Sequence, residues 1–349
     1  MELLRRQHDE ARARLAEDAY DYVAGGAGEE LTVAENEEAW RHVWLRPRQL
    51  LGLAAAQPAL ELLGARMAAP IVIAPAALQG VLHPDAERAV ARAAADAGLV
   101  MCLSTRATTD MADVAAATSA PKWFQLYMDP DRTRVQRTLE RAARHGYAQV
   151  VMTIDFPVTG RRERERRHGA LGLPAGVRLA THLGAWEAAE ERPQIGGWIA
   201  PTWEDVAWVR EAGGLPVLLK GVLTAEDALL AEQAGAGAVA VSNHGGRQLD
   251  GVVPTAVALR EVAAALEGRL PVLVDGGIRS GADVVRALAL GADAVLVGRP
   301  YLWALAAGGE PGVRELLTAL IEDTARSLAL AGAATPAEVT AAHVRLRGW

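Results

Sequence analysis

The chain has 349 residues, of which 51% are hydrophobic and 34 are glycine, so a large core is possible and general disorder is excluded. A formal net charge of −7 argues against nucleic acid as a partner. The single cysteine, Cys102, rules out a disulfide framework and a thiolate metal cluster, and it suits a reducing, cytoplasmic home.

Met1–Arg14 is charged throughout and has no apolar centre, so no signal peptide is expected. No uninterrupted apolar run reaches about 18 residues, so neither a spanning helix nor a membrane partner is expected. Residues 1–69 read as an N-terminal helical segment, with a helix over Ala11–Val23 broken by the glycines of Tyr22–Gly28. From Pro70 onward short apolar runs alternate with alanine-rich stretches. The runs are Ile71–Ala74, Leu99–Leu103, Trp123–Leu126, Val150–Ile154, Pro216–Leu219, Ala238–Val241, Val272–Val274 and Ala294–Val297. Helices are predicted between them over Asp85–Ala97, Arg132–Arg144, Ala225–Ala234 and Gly281–Leu290, each followed by a glycine suited to a left-handed cap. Eight strand–helix units with nearly continuous apolar strands predict a (β/α)8 barrel over residues 70–310, not a doubly wound open sheet. The connection 156–201 after the fourth strand is unusually long. It carries the charge run Arg161–His168 and then Gly196, Gly197 and Pro201, so it reads as an active-site loop. Within 311–349, Pro311–Ala331 reads as a closing helix, and the whole chain is expected to be one domain.

Barrel chemistry collects where the strands end. Polar groups stand at seven such ends: Ser104; Gln125 and Tyr127; Asp155; Lys220; Ser242, Asn243 and His244; Asp275; Gly298 and Arg299. After the seventh strand, Asp275–Gly281 reads DGGIRSG, and after the eighth, Gly298–Pro300 reads GRP. Glycines let backbone N–H groups approach an anion, a helix start adds positive potential, and Arg279 and Arg299 supply charge-assisted bonds. Barrels bind phosphate at this place. The plainer alternative is a pair of tight turns. Cys102, inside an apolar strand, reads as core filler. His42, His83, His145 and His168 show no metal-ligand spacing, so no metal is expected.

Taken together, VSNHGGRQLD at Val241–Asp250, LKG at Leu219–Gly221, DGGIRSG and VGRP resemble the FMN-dependent 2-hydroxy acid oxidase and dehydrogenase family. That family includes glycolate oxidase, lactate oxidase, mandelate dehydrogenase and hydroxymandelate oxidase. YDYVAGGA at Tyr20–Ala27, IAPAALQ at Ile73–Gln79, FQLY at Phe124–Tyr127 and TIDFPVTGRRE at Thr153–Glu163 fall in the expected order, so the resemblance covers nearly the whole chain. It implies an (S)-2-hydroxy acid oxidase that binds FMN, gives the 2-oxo acid, and passes electrons to O2 to make hydrogen peroxide. The alternatives are a dehydrogenase serving a quinone or other carrier, and a decarboxylating monooxygenase. A flavin store without turnover would keep the phosphate glycines and lose the base or the clamp. A sugar-phosphate isomerase would not need Lys220, Gln125 and the His244–Arg247 pair together. Relatives commonly form tetramers, which implies a homo-oligomer here.

The resemblance also implies roles. His244 is the base, partnered by Asp155, and an imidazole titrates in the right range for the task. Arg247 and Arg162 clamp the substrate carboxylate, and Tyr22 and Tyr127 hydrogen-bond the carboxylate and hydroxyl. Lys220 lies by the flavin N1–C2 edge. Pro75, Ala76 and Ala77 lie against the ring, Ser104, Gln125 and Thr153 bond its polar edge, and Ser242 stands near the ribityl chain. Asp275 takes ribityl hydroxyls, and Gly276, Gly277, Arg279, Gly298 and Arg299 hold the phosphate. Gly245 and Gly246 allow the turn that aims His244 and Arg247 at one pocket. Two departures bear on substrate and acceptor. Arg106 stands where glycolate oxidases carry a tryptophan bordering the substrate, so it either admits a different or additional acidic group or swings outward. Ala77 is oxidase-like, where some dehydrogenases have glycine. The loop after Arg162 also lacks the apolar insertion of membrane-bound mandelate dehydrogenases, which implies a soluble enzyme.

Overall fold

Eight parallel strands close on themselves in chain order, the last pairing back onto the first through Val295–Val297 and Ile71–Ile73. The computed structural model describes residues 2–169, 171, 173–180 and 199–347. Three helices come first, α1 (Glu2–Arg14), α2 (Glu17–Ala24) and α3 (Leu31–Arg41), then strand β1 (Val43–Leu45) and a hairpin of β2 (Leu60–Leu62) and β3 (Ala65–Met67). The barrel strands are β4 (Ile71–Ile73), β5 (Val100–Leu103), β6 (Lys122–Leu126), β7 (Tyr147–Thr153), β8 (Val217–Val222), β9 (Ala238–Val241), β10 (Val272–Val274) and β11 (Ala294–Val297). Around and between them run α4 (Ala86–Asp96), α5 (Met111–Ala117), α6 (Arg132–Arg144), α7 (Glu163–His168), α8 (Trp203–Gly213), α9 (Ala225–Gln233), α10 (Thr255–Leu266) and α11 (Gly281–Ala289). Helix α12 (Arg299–Ala331) follows, and β12 (Val344–Leu346) returns to pair antiparallel with β1. The expected (β/α)8 barrel is therefore the fold.

Strand side chains alternate between two apolar layers, as a period of two requires. Val72, Val100, Cys102, Trp123, Val151, Leu218, Ala240 and Leu273 fill the barrel interior. Ile71, Phe124, Val150, Leu219, Val239 and Val274 face the helices. The interior holds one bulky ring, Trp123, surrounded by small residues such as Ala238, Ala240 and Ala294. Leu62, Ala65 and Met67 of the β2–β3 hairpin join this interior cluster, and Gln149 Nε2 donates to the hairpin carbonyl of Leu63 at 3.3 Å. Gln149 lies early in β7, so the hairpin closes the N-terminal end of the barrel. Among the described residues, the open end of the barrel is the C-terminal one.

Three expectations about elements change. Ala11–Val23 is not one helix, because α1 ends at Arg14 and α2 starts at Glu17. The closing helix expected over Pro311–Ala331 is the second limb of a longer element: Arg299–Ala331 is two helices that meet at a kink at Gly309 (φ 58°, ψ −145°), two residues before Pro311. The long connection contains α7, formed by the charge run itself. Gly196 and Gly197, also expected in that connection, lie outside the described residues. Among the described residues no helix is long and apolar enough to cross a membrane.

Candidate active site

The C-terminal ends of the strands open into a cavity of about 1090 Å³ of empty space, counted out to its mouth. Every site residue named from the sequence lines it except Asp155 and Ser242, which stand directly behind lining residues. Three segments converge here: the strand ends, the α2 residues Tyr22 and Val23, and Arg162 at the start of α7.

The turn after β9 is built from three successive left-handed residues, His244 (φ 58°), Gly245 (φ 64°) and Gly246 (φ 74°). The glycines take this backbone readily, whereas His244 is held there under strain. A Cβ on Gly246 would lie 2.8 Å from the Val33 amide nitrogen, so the turn also packs tightly on α3. Asn243 completes the packing by exchanging side-chain hydrogen bonds with Asn36 at 2.9 and 2.8 Å. Asp250, at the end of the same stretch, faces away from the cavity. It accepts the backbone N–H groups of Glu29, Leu31 and Thr32 at 2.9, 3.3 and 2.9 Å and so holds the start of α3.

His244 Nδ1 lies 2.9 Å from Asp155 Oδ1. Burial alone would raise the Asp155 carboxyl, but the charges of His244 and Lys220 overcome it and hold the group below the ordinary carboxylate value. Burial pushes the His244 imidazole below its ordinary value, although Asp155 pulls it upward. An ionised Asp155 makes Nδ1 the protonated nitrogen, which leaves the Nε2 lone pair free. Nε2 stands 3.4 Å from the Tyr127 hydroxyl. Burial and the nearby Asp155 charge push that phenol up to about 12, so it stays protonated at neutral pH.

Arg162 and Arg247 meet at one carboxylate that sequence reasoning did not single out. Glu165 Oε1 accepts from Arg247 Nη2 at 2.9 Å and lies 3.5 Å from Arg162 Nη1. Arg247 Nη1 also donates to the carbonyls of Tyr22 and Gly25 at 2.7 and 2.9 Å. Arg162 Nε donates to the carbonyl of Arg247 at 3.0 Å, and its Nη2 to Gln248 Oε1 at 3.2 Å. Burial and the like charge of Arg247 push Arg162 down to about 10, with Glu165 opposing them. A pair so arranged is short of negative charge, as a carboxylate receptor should be. Although no residue of α7 is buried, Arg162 just before it is.

Lys220 Nζ lies 3.0 Å from Asp275 Oδ2 and donates to Ser242 Oγ at 2.8 Å, and Ser242 donates on to Asp275 Oδ2 at 3.0 Å. Burial would lower Lys220, but Asp275 and Asp155 outweigh it and keep the ammonium charged. Flavin mononucleotide fits this set in three ways. Asp275 Oδ1 is buried without a hydrogen-bond partner, which suits a ribityl hydroxyl. Arg299, donating to the carbonyls of Val23, Gly245 and Gly25 at 3.0, 2.9 and 2.9 Å, is pushed down to about 9 by burial and by Arg247 and Arg279. Crowded cations of this kind are relieved by a phosphate. A Cβ on Gly298 would meet only Ala74, 3.9 Å away, so the backbone there is open to an approaching ligand.

Beyond the expected set, Val23, Ala74, Phe156, Gly245, Ile278, Leu296 and Leu302 also line the cavity. The Phe156 ring sits 5.1 Å from Tyr127 and 5.7 Å from His244. Its place two residues past the apolar run Val150–Ile154 was the available signal. Outside the cavity, Glu17, Asp21 and His168 gather within 4.8 Å, and Arg164 ion-pairs with Asp21 at 3.7 Å. That cluster is a surface ion-pair network.

Residues 11–346 match the family model described as FMN-dependent dehydrogenase. The chain is 42% identical over 343 residues to glycolate oxidase 1 of Oryza sativa subsp. indica, covering 96% of this chain and 93% of that one. It is 45% identical over 331 residues to 4-hydroxymandelate oxidase of Amycolatopsis orientalis, covering 92% of each. A crystal structure of mandelate oxidase superposes with a TM-score of 0.91 at 42% identity, covering 98% of both chains.

Proposed function

The chain belongs to the family of FMN-dependent dehydrogenases, and from that premise we propose that it oxidises a 2-hydroxy acid to the 2-oxo acid with O2 as the final electron acceptor, giving hydrogen peroxide. The observation that carries this reading is the sharing of one cavity by the His244–Asp155 pair, the Arg162–Arg247 pair, and the Lys220 and Arg299 cations. The relatives described above are oxidases by name, which favours dioxygen over a quinone.

The reaction removes two electrons and two protons from the substrate carbinol, and bound FMN supplies the two-electron acceptor. Its ring would lie by Pro75–Ala77 and Lys220, its ribityl chain by Asp275, and its phosphate by Gly276, Gly277, Arg279, Gly298 and Arg299. Each remaining task falls to a side chain. Arg162 and Arg247 take the substrate carboxylate through their free N–H groups, with Glu165 holding the two forks together. Tyr22, whose ring centroid lies 5.1 Å from the Arg247 guanidinium carbon, closes that end. Tyr127 bonds the substrate hydroxyl beside His244. His244 Nε2 accepts the proton, and Asp155 stabilises the imidazolium that forms. Burial keeps water away and raises the worth of each charge. Proposed with this reading are a cytoplasmic location, in keeping with a lone buried thiol, and a homotetramer, which light scattering after size exclusion tests.

Two measurements test the proposal. A panel of 2-hydroxy acids, aliphatic and aromatic and in both enantiomers, should bleach the bound flavin under anaerobic conditions. Readmitted oxygen should restore the colour and yield peroxide. Protein that stays colourless after FMN is added would remove the reading, and recovery with a quinone but not with oxygen would replace the acceptor.

A further inference from the structure

Among the described residues six cationic side chains line the cavity, and five of them are committed. Lys220 faces Asp275, the cavity's own carboxylate. Arg162 and Arg247 share Glu165. Arg279 is held by Glu37 at 2.7 Å, and Arg299 by three backbone carbonyls. The sixth, Arg106, is half-buried, and among the described residues its guanidinium has neither a hydrogen bond nor an ion pair. Its backbone is nonetheless fixed. The Arg106 N–H donates to Ser104 Oγ at 3.1 Å, and its carbonyl accepts from the Leu78 N–H at 3.1 Å. The side chain is therefore kept at the cavity wall and not carried off by a mobile loop. Its charge is felt at Tyr127, so it stands toward the end of the cavity where His244 works.

A half-buried cation without a counter-ion is a costly arrangement that a ligand can relieve. The anions of the proposed reaction are already matched to other cations: the phosphate to Arg279 and Arg299, the reduced ring to Lys220, and the substrate's own carboxylate to Arg162 and Arg247. We propose that Arg106 receives a second anionic group, so that the preferred substrates are 2-hydroxy acids with a further carboxylate at the far end of the chain. One planar guanidinium matches one carboxylate through a paired hydrogen-bond fork, and it would leave a phosphate dianion half-neutralised. This rests on the oxidation reading above and narrows its substrate class.

The test pairs acids of equal length with methyl and carboxylate ends: 2-hydroxybutanoate against 2-hydroxybutanedioate, and 2-hydroxypentanoate against 2-hydroxypentanedioate, both enantiomers of each. The FMN-loaded protein is reduced anaerobically by each acid. Separately, calorimetry compares butanoate with butanedioate and pentanoate with pentanedioate, which the enzyme does not oxidise at a hydroxyl. The diacid of at least one pair is expected to exceed its partner by at least about tenfold in kcat/KM, and the matching diacid in affinity, the scale of one charge-assisted bond. Arg106→Gln should bring that pair to within about twofold, and Arg106→Lys should keep part of the preference. A parent enzyme that prefers the monoacids, or a preference that survives Arg106→Gln, overturns the assignment. If monoacids bleach the flavin and diacids neither bleach nor bind, only this inference fails. If no acid bleaches it, the oxidation reading fails, and calorimetry still decides whether Arg106 binds the second carboxylate.

Discussion

Replacing Asp155 with Asn removes the charge behind His244 while keeping the size of the side chain. The two groups are 2.9 Å apart with side chains only 17% and 13% exposed, so water screens them poorly. At an effective dielectric of roughly 20 and a charge separation of about 4 Å, the attraction between carboxylate and imidazolium is about 4 kcal/mol. The carboxamide oxygen can still accept the Nδ1 proton, which returns about 1–2 kcal/mol. A loss of about 2–3 kcal/mol would fall on the state in which His244 has taken the substrate proton, so flavin reduction should slow by about thirty- to a hundred-and-fifty-fold. The pH profile should move as well. As the proposed base, His244 would work only when unprotonated, so activity should be present above its pKa and be lost as pH falls through it. Burial already holds that pKa low and Asp155 opposes the shift. Without Asp155 the pKa drops further, and the acid limb of kcat/KM should move to lower pH. Anaerobic stopped-flow bleaching across roughly pH 5 to 8 reads both effects. A variant that holds FMN and is reduced at the parent rate, or one whose acid limb moves upward, refutes the pairing as the source of catalysis.

Lys220→Met should strand Asp275, a buried carboxylate already short of one partner. Thermal or denaturant unfolding should show a loss of about 3–5 kcal/mol, and fluorescence titration should show weaker FMN binding. Arg247→Lys should raise KM by about tenfold or more, because an ammonium cannot reach the Tyr22 and Gly25 carbonyls and still offer a fork to substrate. Asp250→Ala should cost about 1–2 kcal/mol in denaturant unfolding by freeing the start of α3, with flavin reduction per bound flavin kept. The Asp250 carboxyl is held below its ordinary value, so its stabilisation is present above that value and fades as pH falls through the lowered one.

The barrel was readable because its strands are buried on both faces. Residues such as Ala238–Val241 and Ala294–Val297 then appear as unbroken apolar runs. Helix α3 was not readable in the same way. Its buried positions are Thr32, Asn36, Ala39 and Trp40, spaced as a helix demands but half of them polar. They are polar because they hydrogen-bond the loops they support: Asn36 to Asn243, and Thr32, through its hydroxyl, to the Gly251 N–H. The first part of α12 escaped for the opposite reason. Tyr301–Ala307 is buried residue after residue, which erases any periodicity. Within the cavity, charged and glycine-bearing strand ends stood out against apolar runs. Glu165 did not, because a carboxylate inside a run of alternating charges carries no mark of the side chain it will meet.

The left-handed turn at His244 decides how its ring is best removed. Alanine would take away the imidazole but leave a β-carbon at a backbone angle that resists one. Glycine would take away the imidazole and relax the bend, preserving the tight seating of Gly245 and Gly246. The vacated space would then open between the Asp155 carboxylate and the Tyr127 hydroxyl, shaped for a free five-membered base from solution. On the proposed mechanism the proton acceptor is a detachable part: the bend that presents it should hold its shape without it, and chemical complementation of a glycine variant would tell apart what the ring does from what the loop does.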